Sequence, residues 1–173
     1  MTPPIHVEPL TDHWRRAAAE AWTASWGEPL VVSRGRLHDL RALQGFVALD
    51  REGSRLMGVL TYAPDEADDL EVVSIDALER RQGVGTALLS AAERLATSEA
   101  RRRAWLVTTN DNTGAIGFYT ALGWRLVAVH LDAVTRARAL KPGIPEAGDG
   151  GVPLRDELEF EWRPAAIETA RPG

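Results

Sequence analysis

Apolar and polar residues alternate over residues 5–10, which predicts a first strand. The next apolar positions, Trp14, Ala18, Ala21, Trp22 and Trp26, fall at helical spacing and predict an amphipathic helix from Asp12 to about Ser25. Thr11 stands where its N-cap would be. Those tryptophans read as core rather than as ligand clamps. Residues 27–45 carry a weak pattern: the apolar pair Val31-Val32, a polar turn, and a short helix expected near 37–43. Residues 45–50 and 55–63 are strand-like, and the polar link Arg51-Glu-Gly-Ser54 joins them as a hairpin. An acidic turn over 64–69 leads into a further strand at 70–75.

Helical periodicity returns over residues 83–98, followed by a strand at 104–109. A helix is expected over 113–122, ended by Gly123 as its C-cap. A strand follows at 124–130 and a short helix at 132–140, capped by Asp132. Residues 141–151 form a Pro- and Gly-rich loop, residues 156–162 alternate as a last strand, and the tail from Pro164 reads as frayed. With no internal repeat and no linker, the order is β-α-(α)-β-β-β-α-β-α-β-α-β in one mixed α/β domain.

Composition narrows the chemistry. At 173 residues, 45% hydrophobic and 26% charged, the chain suits one compact domain. No apolar stretch approaches the ~20 residues of a membrane span. Met-Thr-Pro-Pro lacks the basic start and apolar run of a secretion signal, so a cytoplasmic protein is expected. The absence of cysteine removes disulfides, thiolate catalysis and cysteine-ligated metal. His6, His13, His38 and His130 lack metal-like spacing with carboxylates, and no metal is expected. A net charge of −5 gives no help to nucleic-acid binding. Arg101-Arg102-Arg103 reads as a solvated turn at a helix C-terminus.

The most informative run is Val72-Val-Ser-Ile-Asp-Ala-Leu-Glu-Arg80-Arg-Gln-Gly83-Val-Gly85-Thr-Ala-Leu-Leu. It reads as a buried strand, a basic turn, and two spaced glycines opening a helix. Glycine admits a ligand close to the backbone, and a helix N-terminus offers unpaired N–H groups to phosphate. The P-loop spacing is absent, because no lysine follows Gly83 or Gly85. The dinucleotide fingerprint G-x-G-x-x-G fails at Leu88.

Arg80-Arg81-Gln82-Gly83-Val84-Gly85 resembles instead the Q/R-x-x-G-x-G/A pyrophosphate signature of the GNAT superfamily of acyl-CoA-dependent N-acyltransferases. Glu71-Val-Val-Ser-Ile75-Asp76 is similar to the family's central strand. Asn110-Asp-Asn-Thr-Gly-Ala115-Ile-Gly-Phe118-Tyr119-Thr-Ala-Leu-Gly123-Trp124 resembles its second conserved segment, one helix and one strand later. The resemblance implies the GNAT fold over residues 1–163: an α/β (α+β mixed) domain whose twisted, mostly antiparallel sheet of about seven strands is flanked by helices.

It also implies acetyl-CoA as co-substrate. The backbone at Val73, Ser74, Ile75 and Ala77 would hold pantetheine and polarise the thioester carbonyl. Arg80, Arg81, Gln82, Gly83, Val84, Gly85 and Thr86 would bind pyrophosphate, and Asn110 the pantetheine arm, with Ala115 and Phe118 beside the cofactor. Tyr119 matches the family's frequent general acid, placed to protonate the leaving thiolate; the alternative is one more aromatic on a core-facing helix. Glu71 matches a general base acting through water; the alternative is a solvated strand carboxylate.

The expected activity is transfer of an acetyl group to a primary amine by direct attack in a ternary complex. A catalytically silent acyl-CoA sensor and a nucleotide-binding oxidoreductase are the rivals. Arg34, Arg36 and His38 lie in the region that covers the acceptor in this fold. Asp65, Glu66, Asp68, Asp69, Glu157, Glu159 and Glu161 either favour a cationic amine or, as acidic turns usually are, are simply solvated. Leu158, Phe160 and Trp162 suit either a core or the homodimer interface that members of this fold often form through C-terminal strands. Neither nucleic acid nor membrane is expected as a partner.

Overall fold

The computed structural model describes residues 5–79 and 81–165. Its elements run β1 (His6–Pro9), α1 (Asp12–Trp26), β2 (Leu30–Ser33), β3 (Arg36–Asp39), β4 (Gln44–Leu49), β5 (Leu56–Pro64), β6 (Leu70–Ala77) and α2 (Val84–Ser98). Then follow β7 (Ala104–Thr109), α3 (Thr113–Ala121), β8 (Arg125–His130), α4 (Ala133–Ala137) and β9 (Glu157–Trp162), with 3₁₀ turns at Leu40–Ala42 and Asp149–Gly151. Seven strands form one sheet in the order β1-β4-β5-β6-β7-β9-β8, and every neighbouring pair is antiparallel except β6 with β7. This is the mostly antiparallel mixed sheet flanked by helices that the resemblance implies. Among the described residues no helix is long and apolar enough to cross a membrane.

Each face of the sheet carries its own core. Leu60, Leu70, Val72, Leu88, Leu89, Leu106, Tyr119, Trp124 and Phe160 pack on the α2 side, and Leu10, Trp14, Trp22, Leu40, Val47, Val59 and Val73 on the α1 side. Trp14 and Trp22 are core as expected, but Trp26, at the helix end, is 36% exposed. Since β9 lies between β7 and β8, Phe160 is core, and the partly buried Leu158 and Trp162 pack against that core.

Four local expectations differ. The short helix near 37–43 is instead strand β3 with a 3₁₀ turn behind it. Ser33 pairs with Arg36, and the two residues between them, Arg34 and Gly35, have φ of 48° and 74°. Two consecutive left-handed residues make the tight hairpin turn that matches strand twist, and the Arg-Gly step was its signal. Thr11 precedes α1 without a side-chain cap bond. Asp132 does not cap α4 either: its φ is 56°, and the Arg155 carbonyl receives Val134 N (2.8 Å) and Thr135 N (3.3 Å). That tertiary cap holds a helix of five residues where a longer one was expected. At the end of α3, Gly123 N bonds Thr120 O and Trp124 N bonds Tyr119 O, a Schellman closure built on the left-handed Gly123 (φ 85°). Most of the expected frayed tail, residues 166–173, lies outside the described residues.

Candidate active site

The parallel pairing of β6 with β7 covers only Leu70 with Ala104 and Glu71 with Trp105. Beyond Glu71 the two strands part, while β6 stays paired with β5 as far as Ala77. Its far edge, which includes the backbone of Val73, Ser74, Ile75 and Ala77, is left without a strand partner. The β5–β6 register also slips between Thr61 and Tyr62, so that Val73 is an inserted residue on β6. A bulge of this kind re-aims side chains. Alternation inverts there: Val73 joins the α1-side core, whereas Ile75 packs on the α2 side. Ser74 is buried, with its hydroxyl 2.6 Å from that of Thr61.

The basic turn lies at the same end of β6. Arg81 and Gly83 both take positive φ, 61° and 79°, and Gly83 is the N-cap of α2. The first helical bond runs from Ala87 N to Gly83 O (2.9 Å), which leaves the N–H groups of Gly83, Val84, Gly85 and Thr86 without helical acceptors. Among the described residues no side chain caps them, and the first turn holds no acidic residue to oppose the positive end of the dipole. Gln82 Nε2 bonds Glu79 Oε2 at 3.2 Å. Arg80 lies outside the described residues. The glycines act differently: Gly83 supplies a left-handed angle, whereas a Cβ on Gly85 would meet the Phe118 ring. Gly58 of β5 lets α2 sit close, because a Cβ there would meet Val84 Cγ1 at 2.5 Å.

Helix α3 carries the second motif. Asn112 accepts from Ala115 N (3.1 Å) and starts the helix. Phe118 is half-buried, and Tyr119, 6% exposed, packs among Phe118, Trp124 and Phe160 at ring-centroid distances of 5.5, 6.3 and 5.5 Å. Burial pushes the Tyr119 hydroxyl up to about 12. Among the described residues it makes no side-chain hydrogen bond, yet it is not one of the fully enclosed polar atoms. Asn110 is committed locally: Nδ2 donates to Pro153 O (2.9 Å), and Oδ1 accepts from Arg155 N (2.9 Å) and Asp156 N (3.0 Å). It fastens the loop before β9, and one Nδ2 hydrogen stays uncommitted.

Most of the expected acidic residues are already matched. Asp69 is clamped by Arg102 (3.0 Å) and Arg103 (3.0 Å), and Asp68 pairs with Arg101. Asp65 accepts from Trp105 Nε1 at 2.8 Å. Glu159 holds Arg34, Arg103 and His130, and Glu161 holds Arg103 and Arg163. The arginine triplet is therefore not a solvated turn; it neutralises the 65–69 turn and the buried end of β9. Glu66 is exposed and unpaired among the described residues, while Glu71 and Glu157 are 1% and 3% exposed. Among the described residues Glu157 accepts only the Arg34 backbone N–H (3.2 Å), and Glu71 Oε1 has no hydrogen-bond donor. Burial raises the proton affinity of both carboxyls. Glu71 is thus no solvated strand carboxylate. Facing it at 3.7 Å is Nε2 of His38, from the β2–β3 hairpin.

The acetyltransferase (GNAT) family model matches residues 8–124 of the chain. The uncharacterized protein YdhI of Bacillus subtilis (strain 168) is 39% identical over 135 residues, 78% of this chain and 83% of that protein. The uncharacterized protein YxbD of the same strain is 37% identical over 133 residues, 77% and 82% of the two chains. Among solved structures, an acetyltransferase of Bacillus subtilis in complex with CoA has the same fold (TM-score 0.66, 16% identity, 94% of this chain and 100% of that one). So has a GNAT family acetyltransferase of Elizabethkingia anophelis with acetyl-CoA bound (TM-score 0.64, 16% identity, 92% and 98%). The parted strands, the uncapped helix N-terminus and the Asn110–Trp124 segment all fall within or against the matched residues, and the chain belongs to the acetyltransferase (GNAT) family.

Proposed function

We propose that the protein transfers an acetyl group from acetyl-CoA to a primary amine by direct attack in a ternary complex. The observation that carries this reading is the opening of β6 away from β7 directly before the uncapped N-terminus of α2. Free backbone donors along Val73 to Ala77 suit the pantetheine amides and the thioester carbonyl, and four orphan N–H groups suit the pyrophosphate. Arg80, Arg81, Gln82 and Thr86 are assigned beside them from the resemblance, as are Asn110, Ala115 and Phe118 along the pantetheine arm.

The chemistry needs a neutral amine, donors for the developing oxyanion and a proton for the thiolate. Glu71, buried with a raised proton affinity, is the proposed base for the amine. Nitrogen attacks the carbonyl carbon, the C–N bond forms, and the C–S bond breaks. Tyr119 is the proposed donor to the departing sulfur, since its raised pKa keeps it protonated at neutral pH. The amine approaches on the α1 face, beneath the β2–β3 hairpin, where Glu157 is the second carboxylate that could meet a cationic acceptor.

Two measurements test this. Calorimetric titration with acetyl-CoA and with NADH is expected to show binding of acetyl-CoA alone; tight NADH binding without coenzyme A binding overturns the reading. Thiol release is then followed against amino acids, polyamines, aminoglycosides and peptide N-termini, and turnover is expected with at least one of them.

A further inference from the structure

Two fully enclosed polar atoms face each other in the α1-side core. Glu71 Oε1 and His38 Nε2 are 3.7 Å apart, and neither has a hydrogen-bond partner among the described residues. Enclosed polar atoms are normally paired, and leaving both unpaired costs stability. A separation slightly beyond hydrogen-bond length suits two lone pairs held for a proton that is not yet there. Once Glu71 is protonated, a small side-chain rotation closes an O–H···N bond. The other ring nitrogen, Nδ1, is not among those enclosed unpaired atoms, and the His38 side chain is 6% exposed.

We propose that His38 is a positioning residue and proton relay for Glu71, carrying the acceptor's proton from the buried carboxyl to solvent. This rests on Glu71 acting as the base. The amine proton passes to Glu71 Oε1 as the C–N bond forms. It moves on to His38 Nε2, while the proton on Nδ1 leaves to water, so the ring regains neutrality and Glu71 its charge. Without such an exit, a carboxyl that is 1% exposed would keep the proton between turnovers.

The surroundings keep the ring from holding a second proton, so a proton gained at Nε2 is matched by one lost from Nδ1. Burial and the Arg36 charge on β3 both lower the proton affinity of His38. Burial raises that of Glu71; the Ser33 hydroxyl on β2 and Arg36 oppose this, and Asp65 and Glu157 reinforce it. The nearby cations Arg34 and Arg103 on the same face are held by Glu159, which also contacts the His130 ring.

The test compares His38→Gln and His38→Leu with the unaltered protein. Glutamine places an amide nitrogen near the Nε2 position but cannot relay a proton. Both variants are expected to keep acetyl-CoA affinity and to lose about tenfold or more in kcat with the best amine, with a larger solvent deuterium isotope effect. An unaltered kcat, pH profile and isotope effect in His38→Gln overturns the relay. Should the variants fold poorly, NMR titration of the imidazoles in the unaltered protein and in Glu71→Gln decides. The His38 resonances are expected to change their titration when Glu71 is neutralised, and an unmoved titration overturns the coupling. If no amine is turned over, the proposed function fails, while the NMR experiment still reads the pair.

Discussion

A Cβ on Gly85 would stand 2.9 Å from Cζ of Phe118, so the α3 ring is seated directly on the first turn of α2. The two sequence motifs are in contact through this pair. Gly85→Ala gains roughly 0.5–1 kcal/mol of helix preference and costs about as much in pushing the ring off its rotamer. Thermal stability is therefore expected to change little. Coenzyme A affinity, read by calorimetry, is expected to fall several-fold, because the displaced ring belongs to a residue assigned beside the cofactor. Phe118→Leu in the same chain should restore much of that affinity.

Tyr119→Phe separates enzyme from silent sensor. Phe118, Trp124 and Phe160 hold the ring whether or not it bears a hydroxyl, so the fold and acetyl-CoA affinity should survive. If Tyr119 protonates the thiolate, kcat should fall by about 10²-fold, the lower end for general acids; a sensor has no turnover to lose. The hydroxyl also affects stability. Its pKa is raised from 10.0 to about 12 in the folded protein, so the contribution is intact below pH 10 and is lost as pH climbs from there. Tyr119→Phe should lose that part of the alkaline sensitivity in pH-dependent melting.

Arg103 joins the two half-sheets by charge, reaching Asp69 beside β6 and Glu159 and Glu161 on β9. Arg103→Leu removes a shared partner from these carboxylates, which keep Arg102, Arg34 and Arg163, and should cost about 2 kcal/mol at neutral pH by chemical denaturation. Burial raises Glu159, but hydrogen bonds from His130 and Arg103 leave it below its ordinary value of 4.5; Arg163 and then Arg103 lower Glu161. A lowered folded pKa stabilises above the ordinary value and ceases to do so as pH falls. The gap between variant and parent should therefore narrow below pH 4.5.

Much of this arrangement is legible in the sequence because it rests on local signals. Period-two and period-3.6 patterns marked the strands and main helices, and Gly83 announced the turn before α2. Long-range pairing was not legible. Asp132 resembled a helix cap, but the Arg155 carbonyl, distant in sequence, performs that role. The Asn110 motif did not reveal that its side chain fastens residues 153–156. His38 looked like an isolated histidine, since only the hairpin brings it opposite Glu71. The Arg34-Gly35 turn was the one available clue to that hairpin.

Lys141, the only lysine, donates to Leu30 O (2.8 Å) and lies 3.8 Å from Glu28. It ties the 141–151 loop to β2, so two segments near the proposed acceptor entrance are linked. Lys141→Met should keep acetyl-CoA affinity and raise KM for the amine several-fold, with faster hydrogen exchange over residues 28–40. Unchanged exchange there would show that the tie carries no tension.

The placement of β9 between β7 and β8 bears on the order of events at the ribosome. The partners of β9 are both made before it, and they do not pair with each other. The β4–β5–β6 meander can close as it emerges, but the C-terminal half-sheet waits for almost the whole chain. Until Glu157–Trp162 arrives, β7 and β8 present bare edges, with Leu126, Val127 and Val129 exposed nearby even in the finished fold. A nascent or truncated chain lacking Glu157–Trp162 would be a natural client for chaperones, because both neighbouring strands lose their shared partner at once.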